Sequence, residues 1–494
     1  MFDRRKFIAS GIAAGAATGL APGMAFAAER SDVVIIGAGL SGLNAASILK
    51  EQGYKVVVLE ANNRIGGRVH TVDTADGKID VGASQIGRGY ARVLDTCQKL
   101  GLKLIPEDRD LLTFGNHFRD TWVDNKTWES NPLNKTVGEE RLIPPMMIGS
   151  TLVGKYNPLK EVDEWLDPKY ADYDISLREL MRRKGHSDAA IDLAQYSAPG
   201  ISIDATSVLR MWQEDTRGKI DRKLAATAAP GHKDHPFGEA NDRNMIDGLA
   251  MISNIEGGCQ KLPLGMAAQL GDVVRLNKRV ARIDMTNRAG TVRCTDGTEY
   301  SARFIVSAIP FTMLRDVAIT GPGGLYQSKA IASMPYANTA RLYMTVEKPF
   351  WKDDCLPASF SSDGPIGMFW GIDNHTGEGR HRAMVVMVGQ VAAAMASRDR
   401  PEAEAFVMAE LARLRPASKG LIRLDTYKDW ARDPLQRGCG FSLAPGHVNA
   451  YARRMNDPWA VLHFAGEHTR RLDIGMESAM ESGERAAIEI VSRG

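Results

Sequence analysis

Apolar positions in this chain fall into short runs punctuated by glycine turns and followed by stretches with helical spacing. Residues 33–36 form an apolar run of strand length; glycines follow at 37, 39 and 42, and Leu43, Ala46, Ile48 and Leu49 then recur along an amphipathic helix. Lys55-Val-Val-Val-Leu-Glu60 is a second strand that ends on an acid eighteen residues after Gly42. Strand, turn, helix, strand and acid in this order predict the βα half of a Rossmann unit.

The chemistry of that turn points to a dinucleotide. Gly37 permits the tight bend, Gly39 lets the backbone approach a pyrophosphate, and Gly42 lets the helix sit close to the strand. Free N–H groups at the helix N-terminus, beside Ser41, then face the phosphates. Glu60, next to Ala61, can accept hydrogen bonds from the adenosine ribose. Arg64-Ile-Gly-Gly-Arg68 follows directly, and with it the unit reads as a site for FAD.

Further periodic segments extend the pattern. Helical stretches are predicted at 176–184 and 187–196, and a glycine turn at Gly257-Gly258 leads into a helix ending at Leu270. Strands at 273–276 and 280–283 precede a hairpin through Asp296-Gly297 and a strand at 304–308 halted by Pro310. The closing segment has a strand at 460–465, a glycine turn and a helix from about Met476 to Val491. The fold class expected is α/β with α+β elements: a Rossmann-like FAD-binding domain built from 30–90, 250–310 and 425–494. A mixed-sheet-plus-helices substrate domain, from 91–249 and 311–424, is interleaved with it.

Composition narrows the setting. The chain has 494 residues, 44% hydrophobic and 25% charged, as expected of a globular protein. Arg4-Arg5-Lys6 leads into an Ala/Gly-rich run ending Ala25-Phe26-Ala27, so residues 1–27 read as a cleaved twin-arginine signal and the product as periplasmic. A membrane anchor is the competing reading, but Gly11, Gly15, Gly19 and Pro22 interrupt the run. Loss of Asp3, Arg4, Arg5 and Lys6 takes the 62 basic and 60 acidic residues to 59 of each, which argues against a nucleic-acid partner. Cysteines 97, 259, 294, 355 and 439 have no metal-ligand spacing, so no metal site is expected, and their odd number leaves at least one outside any disulfide.

At this level of detail the chain resembles the flavin-dependent amine oxidases, the group of monoamine, polyamine and L-amino-acid oxidases. The carriers are the 37–60 unit, Gly66-Gly67-Arg68, Gly257-Gly258 with Gln260 and Leu262, Met334-Pro335 through Pro349-Phe350-Trp351, Phe464-Ala-Gly-Glu-His-Thr469, and Met476 through Gly483. The resemblance implies hydride removal from the carbon beside an amine, to flavin N5, giving an imine that water hydrolyses. It implies that Glu60 holds the ribose, Gly67 and Arg68 the pyrophosphate, and Val280 the adenine. Gly82, Ala83, Ser84 and Gln85 belong to the first cofactor segment, and Gly466, Glu467, Gly475 and Met476 to the last. His468 is expected to be structural. A helix N-terminus at Met476 would stabilise charge on the flavin N1–C2=O edge.

Three departures from the family pattern bear on mechanism. Arg341 stands where the family has a lysine near N5, and it keeps the charge but cannot lose its proton; oxygen or a periplasmic cytochrome or quinone is therefore open as electron acceptor. Cys439 falls where monoamine oxidases join the flavin covalently, and it is either that link or a small buried residue. Gly440 and Gly475 replace the two aromatic cage residues, with Phe441 or Trp370 as partial substitutes, which suggests a bulkier amine. A C–C desaturase like the porphyrinogen oxidases, or a flavin carrier without turnover, are the rival readings, and a homodimer is left open.

Overall fold

Val33, Val34, Ile35 and Ile36 are all buried, so this strand is covered on both faces, as a continuous apolar run in a parallel sheet demands. The computed structural model describes residues 29–87, 89–107, 111, 113–197, 202–227, 252–372 and 381–494; the expected signal at 1–27 lies outside them. β1 (Glu29–Ile36) pairs in parallel with β2 (Val56–Leu59) on one side. The first sheet is completed by β5 (Val274–Arg275), β6 (Val280–Met285), β7 (Gly290–Cys294), β8 (Glu299–Ser307), β9 (Ala318–Thr320) and β15 (Leu462–Phe464). Its order is β5-β2-β1-β8-β7-β6-β9, with β15 also on β8.

The hairpin expected at Asp296-Gly297 joins β7 to β8, and Gly297 has the positive φ of 85° that such a turn requires. The strand expected at 304–308 is the buried end of the longer β8. Its first half alternates in burial beside β7, and only its last residues lie between β1 and β15, where both faces are apolar. This is why only the second half stood out as a hydrophobic run.

α1 (Leu40–Glu51) is less amphipathic than expected. Leu40, Leu43, Ala45, Ala46 and Leu49 are all buried, because α4 (Lys261–Leu270) and α5 (Gly475–Val491) cover it from outside the sheet. A Cβ on Gly483 of α5 would overlap the Ser41 carbonyl. That close approach explains a glycine inside a helix.

The second, mixed sheet contains β3 (Phe114–Phe118), β4 (Thr121–Val123), β10 (Thr339–Val346), β11 (Ser359–Ser362), β12 (Met368–Ile372), β13 (His381–Val388) and β14 (Ile422–Asp429) in the order β14-β10-β13-β12-β11-β3-β4. β10 divides its side chains by the two-residue period of a strand. Ala340, Leu342, Met344 and Val346 enter a core shared with the helix Arg400–Leu414, whereas Arg341 and Tyr343 face the other way. The sheets cross the sequence boundaries in two places: β9 belongs to the first sheet although it lies beyond 310, and β14 carries the second sheet past 424 to Asp429. Pairing partners decide sheet membership, and pairing is non-local.

The helical stretches stand as Leu177–Arg183, capped by the Ser176 hydroxyl accepting from the Glu179 N–H at 3.1 Å, and Asp188–Ser197. α2 (Ala91–Lys99) packs against α5, and the long α3 (Val208–Thr227) carries Arg210 and Glu214.

Candidate cofactor and active site

A cleft of about 300 Å³ opens at the C-terminal ends of β1, β2 and β8, where open α/β sheets bind ligands. It brings together most of the residues singled out in the sequence. Glu60 and Ala61 stand with Val280, and the Lys278 N–H donates to the Glu60 carbonyl at 2.7 Å. Gly37, Gly39, Ser41, Gly67 and Arg68 continue the lining, as do Gly466 and Glu467. Gly82, Ala83, Arg341, Cys439, Gly440, Gly475 and Met476 complete it.

The three glycines of the first turn serve three different ends. Gly37 has φ +105°, and a Cβ there would lie 2.9 Å from the Ile309 side chain. A Cβ on Gly42 would overlap the Gly37 carbonyl oxygen, so Gly42 sets the spacing of helix and strand and stands behind the cleft. A Cβ on Gly39 would meet no protein atom within 4 Å and would project from a residue that lines the cleft. Its bareness therefore serves whatever enters. Leu43 is the residue whose N–H bonds back to Gly39 C=O, at 3.0 Å, so the N–H groups before it have no acceptor within the helix. This is an anion site of the kind a pyrophosphate needs.

Glu60 is held in advance. Its two carboxylate oxygens accept from the N–H groups of Ala38 and Asn62, each at 2.8 Å. Burial raises its pKa against the lowering by those backbone bonds, and each oxygen keeps a lone pair for a ribose hydroxyl.

Arg68 opens a partly buried ladder of alternating charge centred on the buried Arg470. It pairs with Glu467 at 3.3 Å and also donates to the Cys439 carbonyl. Glu467 faces Arg470 at 3.6 Å, Arg470 pairs with Glu214 at 2.8 Å, and Glu214 with Arg210 of α3 at 3.1 Å. The Phe441 ring stands between the guanidinium groups of Arg210 and Arg470, 5.2 and 4.9 Å from its centroid. At 2% exposure Phe441 is part of this stack and is not among the residues lining the cleft, to which the sequence had joined it.

Arg341 donates from Nη1 to the Gly82 carbonyl at 2.9 Å and reaches the Tyr343 hydroxyl at 3.3 Å. Its Nε is buried without a partner among the described residues, a donor left over on a cleft side chain. Trp430 lines the cleft too, and its indole N–H donates to the Val81 carbonyl at 3.1 Å, which ties the 79–85 segment to β14. Sequence reasoning missed Trp430 and Lys278 as cleft residues. It also missed Tyr343, which lies outside the cleft and meets it through Arg341; the two-residue strand period from Arg341 was the available signal.

Ser84, Gln85 and Trp370 are placed elsewhere. With Tyr343 they border a separate chamber of about 50 Å³. Trp370 packs edge-on against Phe114, Gln85 reaches Glu107 at 3.4 Å, and the Ser84 carbonyl accepts from the Cys259 thiol. The chain runs Gly82 and Ala83 along the cleft and then carries Ser84 and Gln85 away from it into the second chamber. His468 is buried against Phe311 at 4.3 Å, and burial followed by Arg68 and Arg485 holds its pKa well below the usual imidazole range. It is neutral packing, as expected. All five cysteines are free thiols, and Cys439 is the one on the cleft.

The remaining residues fit FAD: first-turn donors of α1, an acid at the end of β2, a bare Gly39, and a second helix N-terminus at Gly475. Fold and cleft together define a dinucleotide-binding flavoprotein. The profile of the flavin containing amine oxidoreductases matches residues 40–491, and the chain belongs to that family. It is an FAD-dependent amine oxidoreductase. Human amine oxidase [flavin-containing] B is 24% identical over 486 residues, covering 94% of this chain and 86% of that protein. The probable flavin-containing monoamine oxidase A of Dictyostelium discoideum is 26% identical over 467 residues, covering 93% and 97%. Among solved structures, a putrescine oxidase variant redesigned in cofactor binding superposes with a TM-score of 0.76 at 21% identity, over 95% of this chain and 100% of that one. Cyclohexylamine oxidase from Brevibacterium oxydans does so at 0.75 and 19% identity, over 94% and 99%. These two share the fold.

Proposed function

We propose that this enzyme oxidises an amine at the carbon bearing the nitrogen, releases an imine that hydrolyses to a carbonyl compound and ammonia or a smaller amine, and passes the electrons to oxygen or a periplasmic acceptor. Bound FAD supplies the hydride acceptor, at its N5. The chain supplies binding and electrostatics: α1 and Arg68 hold the phosphates, Glu60 the ribose, and the N-terminus of α5 presents backbone donors and positive potential. Arg341 adds a permanent cation in the same cleft. Trp430 and the adjoining apolar walls exclude water, and Gly440, where a Cβ would meet nothing within 4 Å, leaves room for a bulky amine.

The continuity of one cleft from Glu60 to Gly440 is the observation that carries this reading. Anaerobic mixing of the yellow protein with a panel of amines tests it. Bleaching with ammonia or amine release supports it; bleaching by a polyene or porphyrinogen and by no amine would favour the desaturase, and no bleaching at all the carrier. Reoxidation by oxygen and by cytochrome c then identifies the acceptor. Arg341→Lys, which restores a group able to lose its proton, should speed reoxidation by oxygen about tenfold with the rate of anaerobic reduction little changed, measured by stopped-flow absorbance. Acid denaturation separates the two readings of Cys439: flavin retained by the wild type and lost from Cys439→Ser marks a thioether.

We also infer that the enzyme is exported folded by the twin-arginine route, on the strength of Arg4-Arg5 and the Ala25-Phe26-Ala27 end. Changing both arginines to lysine should retain the yellow protein in the cytoplasmic fraction of cells.

A further inference from the structure

Arg341 and Tyr343 stand on one face of β10, a strand period apart; Arg341 lines the cleft and Tyr343 does not. Tyr343 is 2% exposed and packs in an apolar cluster with Ile79, Val81, Met384 and Val386. Phenylalanine would fill the same apolar space. The hydroxyl calls for a reason of its own, because a buried O–H without a partner is destabilising. Among the described residues its hydrogen-bond partner is Arg341, whose Nη1 lies 3.3 Å away.

We infer that Tyr343 is a positioning residue for Arg341: with the Gly82 carbonyl it holds the guanidinium in one orientation and so fixes the positive charge that bound flavin meets. The inference rests on the part of the proposed function that places flavin beside Arg341.

Both acceptors take the same nitrogen. Nη1 donates to the Gly82 carbonyl at 2.9 Å and to the Tyr343 hydroxyl at 3.3 Å. A guanidinium held at one point can pivot about that bond, whereas two acceptors on one NH2 group set its plane. The supports are themselves fixed. Tyr343 lies inside the sheet, opposite Met384 of β13 on one side and Thr426 of β14 on the other. On either side of Gly82, the Val81 N–H donates to the His70 carbonyl at 2.9 Å and the Ala83 N–H to the Arg68 carbonyl at 3.1 Å. A Cβ on Gly82 would overlap that Arg68 carbonyl, so the close approach of the two strands of chain depends on glycine there. Burial pushes the Tyr343 phenol upward against the lowering by Arg341, and the hydroxyl accepts as a neutral oxygen. A cation held beside a flavin favours its reduced, more negative form, so the placement of Arg341 governs how readily the flavin takes electrons.

The two-electron midpoint potential of the bound FAD, measured by dye equilibration during slow anaerobic reduction of the holoenzyme, reads this charge without any amine. Tyr343→Phe should keep its FAD and disfavour flavin reduction about tenfold, a fall of about 30 mV. Arg341→Met should lower the potential further, and adding Tyr343→Phe to it should change nothing more; Arg341→Gln serves as the background if Arg341→Met loses its flavin. An unchanged potential in Tyr343→Phe, or a fall of the same size with and without Arg341, overturns the proposal. So does an unchanged potential on removing Arg341, or loss of FAD from Tyr343→Phe, which would mark a merely structural hydroxyl. If the potentials behave as expected while no amine bleaches the wild type, the amine-oxidising reading falls and the role of Tyr343 stands.

Discussion

Gly39→Val should yield a folded, colourless protein. The backbone at Gly39 is extended, with φ −82° and ψ 177°, where valine is at ease, and the new Cβ would meet no protein atom within 4 Å. The cost to the fold is therefore limited to the weaker N-cap, about 1 kcal/mol or less. The side chain would stand where the pyrophosphate must approach the first-turn N–H groups of α1, and charge-assisted bonds to those groups cannot be made through a valine. Flavin content on purification should fall to background, with the melting temperature within a few degrees of deflavinated wild type. Gly42→Val is the contrast: its Cβ would overlap the Gly37 carbonyl, so that variant should lose the fold along with the cofactor. A yellow Gly39→Val at normal stoichiometry would remove the α1 N-terminus from the cofactor site.

The second large effect is expected at Arg470, whose side chain is only 3% exposed. Arg470→Met keeps much of the volume but leaves Glu214 facing Arg210 alone and Glu467 facing Arg68 alone. Breaking a fully buried ion pair from one side costs about 3–5 kcal/mol; Glu214 keeps 32% of its side-chain surface exposed, so the charge loss lies below that range, with the stack on Phe441 lost as well. The urea midpoint should fall sharply and flavin should dissociate more readily, because Arg68 borders both ladder and cleft.

The pH dependence gives the sign. In the wild type, burial raises the Glu214 pKa but Arg210 and Arg470 outweigh it and hold it below 4.5. That stabilisation is present above 4.5 and is lost as pH falls through the lowered value. Without Arg470 the burial contribution gains weight and the Glu214 pKa rises, so acidification relieves the variant. The stability gap between wild type and Arg470→Met should therefore narrow from pH 7 toward 4.5, and a gap that does not change with pH would show that lost packing, not charge, is the cause.

What the sequence by itself determined is the set of features whose physics is local. The turn from Gly37 to Gly42, the acid at Glu60, the Asp296-Gly297 hairpin and the helix behind Met476 are specified by backbone sterics, by hydrogen-bond donors within one turn, and by apolar periods of 2 and 3.6 residues. All of these act over a few neighbours. From them follow the α/β class and the cofactor.

Only the tertiary structure decided which side chains share the far end of the cleft. Arg341 meets Gly82, Phe441 turns inward between Arg210 and Arg470, and Trp370 and Gln85 fall into a separate chamber. Each of these contacts joins segments far apart in the chain, and each is selected by how two sheets and a partly buried charge network pack. No single window of sequence contains both partners, so the glycine turn and the acid at one end of the cleft were legible and the packing at its other end was not.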